Sequence, residues 1–466
     1  MTGVDIMALM PIIILAAGSV LVLLAGAVKP GVYLYETAGY CATASLVWCL
    51  LMPMETVLPG FSMTLFSRVF IAVADICGIL VLLLASGYNR RRDITGEEYP
   101  ATLLFALTGM AAAVSANNLL MLFLGLESFT FAFYILVAIE RDSVQGGEAG
   151  LKYLLNGTLS AATLALGMAL VYCSRGTLKM AELLPQAGLP VADPLFMAGG
   201  LLVLVGLAFK LSLVPAHLWT ADVYQGATAP VTALLSTASK VTAAAAVVLV
   251  LPVLLAWQGG HDMLWLLAMS SLLAGNLAAL VQTGLKRMLA WSSVGQMGYV
   301  ALSLVAFPAG GGEAALFYAV VYALAGLAAF GALSVLSERS DRDDLARYAG
   351  LGYSSPLAGA ALALAMFSLA GIPPAAGFMA KFGVFAAALR SGETVLAVTG
   401  VLTALVAVYF YLRVVVVLYM KPSSADDPIR PLVFSECLAL LVPMLATIAL
   451  GVYPSALMDL LAQVLR

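Results

Sequence analysis

Long apolar runs dominate the chain, and they constrain its fold more than any other feature. A helix that crosses the hydrocarbon core of a membrane needs about 20 consecutive apolar residues, and runs of this length follow one another between residues 6 and 456. Helices suit a lipid environment because they satisfy their backbone hydrogen bonds internally. We therefore expect an all-α, polytopic membrane protein.

The composition supports one continuous membrane domain. Of the 466 residues, 63% are hydrophobic and 10% are charged, whereas a soluble protein carries about 25% charged residues. The net charge of −3 is too small to indicate nucleic acid or a strongly acidic partner. The five cysteines form no CxxC pair, and the sequence contains no spacing typical of haem, zinc or phosphate binding. We expect no cofactor or metal in this chain.

The positions of the apolar runs predict about fourteen spans. Two blocks contain helix-breaking sequences, because proline removes a backbone donor and clashes with the preceding turn. Val214-Pro215 and Ala229-Pro230 interrupt the block 194–256, and Gly371-Ile372-Pro373-Pro374 interrupts 354–390. Spans 7 and 12 are therefore expected to be discontinuous. The predicted spans are 6–27, 32–54, 66–87, 100–117, 118–139, 153–173, 194–213, 228–256, 262–281, 287–306, 314–336, 354–390, 395–420 and 431–456.

Basic residues in the predicted loops indicate the orientation. Cytoplasmic loops of membrane proteins carry an excess of lysine and arginine. Loops after even-numbered spans contain only Arg175, Lys179 and Arg390. The bias predicts that both termini lie on the outer, periplasmic side of a bacterial inner membrane. The loops after odd-numbered spans contain Lys29, Arg90, Arg91, Arg92, Arg141, Lys152, Lys286, Arg287, Arg339, Arg342, Arg347, Lys421 and Arg430.

The two discontinuous spans occupy matching positions in a weak internal repeat. Spans 4–8 and spans 9–13 form two sets of five, and the fourth span of each set contains the proline break. Because five is an odd number, the two sets enter the membrane from opposite sides, and broken helices at matching positions in such inverted repeats indicate an ion site. Within one domain, 1–466, we distinguish spans 1–3 (1–99), two five-span repeats (100–256 and 262–420) and the last span (421–466).

Glu127, Lys210, Lys240 and Lys381 are flanked by apolar sequence on both sides. A charge at the centre of a spanning helix costs roughly 2.5 kcal/mol or more, so each residue needs a reason to be there. Lysine suits proton transfer because burial favours its neutral form and a nearby carboxylate favours its charged form. We expect Glu127 to approach Lys210. The alternatives are a static ion pair that locks two helices, or lysines that extend to the interface.

Four other polar residues, Asp75, His217, Arg413 and Gln296, are accessory candidates, and the first three each have a structural alternative. Asp75 is either an acid within the membrane or the cap of an interfacial bend. His217, at a predicted break, either relays protons or hydrogen-bonds freed carbonyls. Arg413 either lines a polar path or forms a structural pair. Tyr318 and Tyr322 are one helical turn apart, a spacing that is more typical of packing.

The segments that carry these residues resemble a known family. They match the signature of subunit N, also called subunit 2, in the antiporter-like family of NADH:quinone oxidoreductase (complex I). The resemblance covers about residues 100–420, and the wider family includes the L and M subunits, sodium/proton antiporter subunits and membrane-bound hydrogenase subunits. The matching strings are Lys210-Leu-Ser-Leu-Val-Pro-Ala-His-Leu-Trp-Thr-Ala-Asp-Val-Tyr-Gln-Gly, Glu148-Ala-Gly-Leu-Lys-Tyr-Leu-Leu, Leu285-Lys-Arg-Met-Leu-Ala-Trp-Ser-Ser-Val, Leu369-Ala-Gly-Ile-Pro-Pro and Tyr411-Leu-Arg-Val-Val-Val-Val.

This resemblance implies a fourteen-helix fold in a membrane arm, with M and L subunits and lipid as neighbours. It implies that Glu127 and Lys210 form the input pair of a proton path, that Lys240 connects, and that Lys381 lies on the exit side. Flavin, iron–sulfur clusters and quinone would belong to other subunits. One position departs from the family, which commonly has Ser-X-Ala-His-Met-Gly-Tyr where this chain has Ser293-Val-Gly-Gln-Met-Gly-Tyr. Because Gln296 does not titrate, water would bridge there.

Three functions are compatible with these observations. The first is a proton-pumping subunit of a respiratory oxidoreductase, and the second is a subunit of a multisubunit sodium/proton antiporter or membrane-bound hydrogenase. The third is a structural spacer that conducts nothing, which the buried lysines argue against. The signature strings favour the first.

Overall fold

The computed structural model describes residues 3–29, 31–51, 55–94, 96–184, 193–256, 258–336, 344–422 and 431–465. Of the basic residues used for the orientation, Arg339, Arg342 and Arg430 lie outside the described residues. In the described part, a short antiparallel pair, β1 (Thr56–Val57) and β2 (Ser62–Met63), accompanies twenty α-helices. The helices are α1 (Gly3–Val28), α2 (Tyr33–Leu51), α3 (Leu65–Arg91), α4 (Glu98–Val114), α5 (Leu119–Val137), α6 (Val144–Arg175), α7 (Met180–Leu183), α8 (Pro194–Leu211), α9 (Thr220–Gly226), α10 (Ala229–Ser236), α11 (Ala238–Leu254), α12 (Gln258–Leu280), α13 (Leu285–Val305), α14 (Gly311–Leu336), α15 (Leu351–Ser354), α16 (Pro356–Ala370), α17 (Ala376–Arg390), α18 (Thr394–Met420), α19 (Phe434–Val452) and α20 (Ser455–Val464).

The prediction of an all-α membrane protein is confirmed. Eleven helical segments in the described residues are long and apolar enough to cross a membrane, with α10 and α11 together as one of them. The helices α2 and α4 and the broken pair α16/α17 correspond to the three remaining predicted spans. Each of the fourteen predicted spans thus has its own helix or helix pair.

The breaks in spans 7 and 12 are confirmed. The start of span 6 differs from the prediction, and span 8 contains a break that was not predicted. Helix α8 ends at Leu211 and α16 ends at Ala370, in each case just before the proline sequence. Helix α6 starts at Val144, nine residues before the predicted span. A further break lies at Thr237, between α10 and α11, where the backbone leaves helical geometry. That break was not predicted, because the local sequence contains neither glycine nor proline.

Burial divides the helices into an inner and an outer group. The helices α11, α13 and α14 are buried around almost their whole circumference, as expected for helices that are hydrophobic on every side. In contrast, α1, α18 and α19 carry many exposed large apolar side chains. The described chain therefore has a packed interior surrounded by helices with apolar outer faces, which suit a lipid or protein environment.

Glycine contacts bring the first two helices of each predicted repeat unusually close. A Cβ atom on Gly125 of α5 would lie 2.5 Å from the Ala113 nitrogen of α4. A Cβ atom on Gly275 of α12 would lie 2.3 Å from the Gly295 nitrogen of α13. Small residues at such crossings let two backbones approach within a membrane. The same close approach of two helices at small residues occurs at spans 4/5 and 9/10, and this similarity supports the proposed repeat.

Ion pairs tie together the helix ends that the alternating topology places on one side. Arg91 of α3 contacts Glu436 of α19 at 3.0 Å. Asp222 of α9 contacts both Lys152 of α6 and Arg287 of α13 at 2.8 Å. Three basic residues that were predicted to lie in loops are instead helical. Lys152 lies within α6, and Lys286 and Arg287 lie within α13. These side chains therefore fasten helices together as well as contributing to the charge bias.

Candidate functional site

The first part of the site is the buried pair formed by Glu127 of α5 and Lys210 in the last turn of α8. Lys210 Nζ lies 2.8 Å from Glu127 Oε1 and donates a hydrogen bond of 2.7 Å to Thr130 Oγ1. The Lys210 side chain is 2% exposed and that of Glu127 is 21% exposed. The predicted approach of these two residues is confirmed. Glu127, with its partial exposure, is the member of the pair nearer to the surface of the chain.

Lys240 lies in the first turn of α11, directly after the break at Thr237. Its Nζ donates a 2.9 Å hydrogen bond to the backbone oxygen of Lys210 and a second one to Ser212 Oγ. The residue is fully buried, and none of the described carboxylates forms an ion pair with it. Ser212, which holds it, adopts a left-handed backbone conformation at the end of α8.

Lys381 of α17 occupies the corresponding place at the second break. Its Nζ donates hydrogen bonds of 2.8 Å to the Leu369 oxygen and 3.0 Å to the Ala370 oxygen, the last carbonyls of α16. Gly371 has a φ of +84°, and a Cβ atom there would lie 2.9 Å from Lys381 Cδ. Glycine at this position therefore permits both the turn and the approach of the lysine.

A common physical principle explains how Lys240 and Lys381 are held without a carboxylate. The last carbonyl groups of a helix have no partner within the helix, and together they carry about half a negative charge. Lys240 contacts one such carbonyl group at the end of α8, that of Lys210. Lys381 contacts two at the end of α16, those of Leu369 and Ala370. Each helix break thus provides a weak, fixed negative site for an ammonium group.

The two proline breaks have polar contacts inside the protein and proline rings at its surface. The freed carbonyl groups point inward, towards the lysines, and the Val214 N–H donates to Ser271 Oγ of α12. However, Pro215, Pro373 and Pro374 are exposed at the surface of the chain. Prolines lack an N–H group, so these exposed turns present few unsatisfied donors to their surroundings.

The accessory candidates Asp75, His217 and Arg413 form no hydrogen bond or ion pair with the buried lysines in the described part of the chain. Asp75 is fully buried in the middle of α3 rather than at an interfacial bend, and neither of its oxygens has a hydrogen-bond partner among the described residues. The His217 ring packs 5.1 Å from the Trp291 ring. Arg413 donates to the Gln282 oxygen at 2.6 Å, so it ties α18 to the connection between α12 and α13.

Gln296 of α13 is at the centre of a buried polar cluster that was not predicted from the sequence. Its amide nitrogen donates to the Leu369 oxygen at 3.4 Å and to Tyr411 Oη at 2.9 Å. Its amide oxygen accepts a hydrogen bond from Tyr318, and Tyr411 in turn contacts Ser292. The interpretation of Tyr318 as a packing residue is therefore incomplete.

Two other contact residues were also missed, although the sequence contained a signal for both. Thr130 follows Glu127 by three positions, which places both side chains on one face of α5. Ser212 follows Lys210 by two positions, at the first residue beyond the helix. A polar side chain next to a buried charge in an apolar run is thus a useful indicator of a contact.

Comparisons with known proteins identify the family of the chain. The family described as NADH:quinone oxidoreductase/Mrp antiporter, TM, matches residues 116–407, which include the four central site residues. The NADH-quinone oxidoreductase subunit N of Geotalea uraniireducens is 48% identical over 471 residues, covering 100% of both chains. The chain belongs to the NADH-quinone oxidoreductase subunit N family.

Solved structures of this wider group share the fold. A chain of respiratory complex I from Thermus thermophilus with bound aureothin superposes with a TM-score of 0.85 at 34% identity, covering 96% of this chain and 98% of that chain. A chain of the Mrp complex from Dietzia sp. superposes with a TM-score of 0.85 at 23% identity, covering 100% and 97%. The second likeness concerns the fold alone. Within the described residues, no group of three or more His, Cys, Asp or Glu side chains is arranged to hold a metal ion.

Proposed function

We propose that this chain is a proton-translocating subunit in the membrane arm of an NADH:quinone oxidoreductase. The observation that carries the proposal is the series of buried basic groups at two helix breaks, in which Glu127 pairs with Lys210 and Lys240 contacts the Lys210 carbonyl. Identity of 48% along the full length to a named subunit N supports the assignment to such a complex. The sodium/proton antiporter alternative is supported by a shared fold and by a family description that covers both kinds of protein, but not by full-length identity of this extent.

The geometry suggests how protons would move. Glu127, the more exposed partner, takes up a proton, and its loss of charge removes the attraction that holds Lys210 protonated. Lys210 then releases its proton towards Lys240, and Lys381 releases a proton on the opposite side. The carbonyl groups at the helix ends stabilise the charged forms of Lys240 and Lys381. Because they stabilise these forms less than a carboxylate would, each lysine can still release its proton. The two repeats would each supply one half of the path.

In this proposal the redox chemistry belongs to other subunits. Flavin, iron–sulfur clusters and quinone would bind there, and this chain would bind none of them. Its neighbours would be lipid and the antiporter-like M and L subunits, in the bacterial inner membrane with both termini on the periplasmic side. Conformational changes at these neighbours would reach the chain through its helix contacts.

Purification of the tagged chain tests the assignment to an oxidoreductase. Extraction in mild detergent should recover a complex that contains flavin and iron–sulfur clusters and that reduces quinone with NADH, because the chain is an integral part of that complex. A strain with the untagged chain is the control for adventitious binding. Recovery of a complex with antiporter-like subunits but without flavin would instead identify a secondary antiporter.

A further inference from the structure

A set of buried hydroxyl groups lies in the region between Lys240 and Lys381. We propose that these hydroxyls, on α9, α13, α14 and α18, carry protons between the two lysines, and that Gln296 positions them. The inference rests on the proposed function and specifies the part of the path that contains neither lysine nor histidine. The hydroxyl groups belong to Tyr224, Ser292, Ser293, Tyr318, Tyr322 and Tyr411. These residues and Gln296 are all at most 5% exposed.

At the Lys381 end, one backbone oxygen joins the lysine to the cluster. The Leu369 oxygen accepts hydrogen bonds from Lys381 Nζ at 2.8 Å and from Gln296 Nε2 at 3.4 Å. The Gln296 amide nitrogen also donates to Tyr411 Oη, and its oxygen accepts from Tyr318. The amide is thus held by three partners, and it fixes the positions of both phenol groups.

The contacts of Tyr411 determine where its hydroxyl hydrogen points. Because Tyr411 Oη accepts the Gln296 N–H, its own proton is free to point to Ser292, which it also contacts. In a transfer step, a bridging water would give a proton to the phenol oxygen as the phenol proton passes to Ser292 Oγ, and the proton that Ser292 already carries would pass to a further water. Each hydroxyl forms one O–H bond as it loses another, so no net charge remains on the cluster.

The second half of the set leads towards Lys240. Ser293 Oγ accepts a hydrogen bond of 2.8 Å from Tyr322 and lies 3.5 Å from Tyr224 Oη. The Tyr224 ring lies 6.2 Å from the Trp219 ring, which lies 5.0 Å from Lys240 Nζ. Water molecules between these polar groups would complete the connection, since a bridging water is nearly as favourable as a direct hydrogen bond.

Helix geometry aligns the two halves. Tyr318, Tyr322 and Gly326 are spaced by four residues, which places them on one face of α14. A Cβ atom on Gly326 would lie 2.7 Å from Thr237 Cγ2, at the break three residues before Lys240. This face of α14 therefore extends from Gln296 to the Lys240 region, and it carries a hydroxyl group at each of two successive turns.

Removal of single hydroxyl groups tests the proposal. We expect Tyr318→Phe and Tyr411→Phe each to slow proton transfer through this chain by roughly 100-fold, for a step that depends on one positioned proton donor, and so to lower the number of protons taken up per NADH oxidised. The ring remains, so the packing is retained. The matched control is Tyr99→Phe, because Tyr99 is buried but its hydroxyl has no hydrogen-bond partner within the described chain. Proton uptake is measured in vesicles that contain the assembled complex.

The outcomes distinguish a relay from a packing role. A loss of protons per NADH in Tyr318→Phe or Tyr411→Phe, with assembly and reduction of an artificial acceptor retained, supports the relay. Wild-type proton uptake in both variants, alongside a loss in Lys381→Arg, overturns it and leaves the proposed function intact. Wild-type uptake in Lys381→Arg as well would refute the proposed function itself. If one variant does not assemble, the other decides.

Discussion

Replacement of Lys381 by arginine is expected to abolish most proton translocation by the assembled complex. The guanidinium group keeps a positive charge and N–H donors for the Leu369 and Ala370 oxygens, but it does not deprotonate in proteins. We expect proton uptake in vesicles to fall by roughly tenfold or more, because a proton-transfer group is lost. NADH oxidation with an artificial acceptor should continue.

Lys381→Ala is the complementary variant. It removes the titrating group, but it also leaves the Ala370 oxygen without a donor and the Leu369 oxygen with only the 3.4 Å hydrogen bond from Gln296, at a cost of about 1–3 kcal/mol for an unsatisfied group. Some loss of assembly is therefore expected in this variant and not in Lys381→Arg. The matched control is Lys421→Ala, at an exposed lysine beyond α18. Normal uptake in both Lys381 variants would exclude a role for this residue in transport.

Replacement of Glu127 by glutamine is expected to have the second large effect. The amide oxygen can still accept a hydrogen bond from Lys210, as the Thr130 hydroxyl does, but the amide cannot take up a proton or supply a negative charge. Proton transfer through this chain should slow by roughly 100-fold or more, the range for a lost general acid or base. Glu127→Asp should retain part of the activity, because it keeps a carboxylate at a longer distance from Lys210.

The double variant Glu127→Gln with Lys210→Met separates stability from transport. Breaking one side of a fully buried pair costs roughly 3–5 kcal/mol, whereas replacing both partners is often close to neutral. The cost should be smaller here, because Glu127 is partly exposed. We expect the double variant to assemble at least as well as Glu127→Gln and to remain inactive in proton uptake. If the double variant regained uptake, the pair would be a structural lock.

Much of this architecture could be predicted from the sequence, because lipid imposes strong and local constraints. Apolar runs of sufficient length predicted the fourteen spans, and Pro215 and Pro374 predicted two of the breaks. Glu127 and Lys210 were expected to meet, because a lone charge in an apolar run is costly. These predictions all rest on composition within a window of about twenty residues.

Other features could not be predicted, since they depend on backbone groups or on distant segments. The partners of Lys381 are carbonyl oxygens, which every residue possesses and which leave no trace in the sequence. The break at Thr237 occurs without glycine or proline. Tyr411 and Ser292 are 119 residues apart and meet only because α13 packs beside α18.

The number of protons taken up per NADH oxidised by a Lys240→Gln complex tests the central claim most directly. Lys240 is fully buried between the two repeats, and glutamine keeps an N–H donor for the Lys210 oxygen but cannot carry a proton. Assembly and reduction of an artificial acceptor should be retained. A connected path through Lys240 predicts a lower ratio than in the wild-type complex. A wild-type ratio in the fully assembled Lys240→Gln complex would contradict a proton path through this chain.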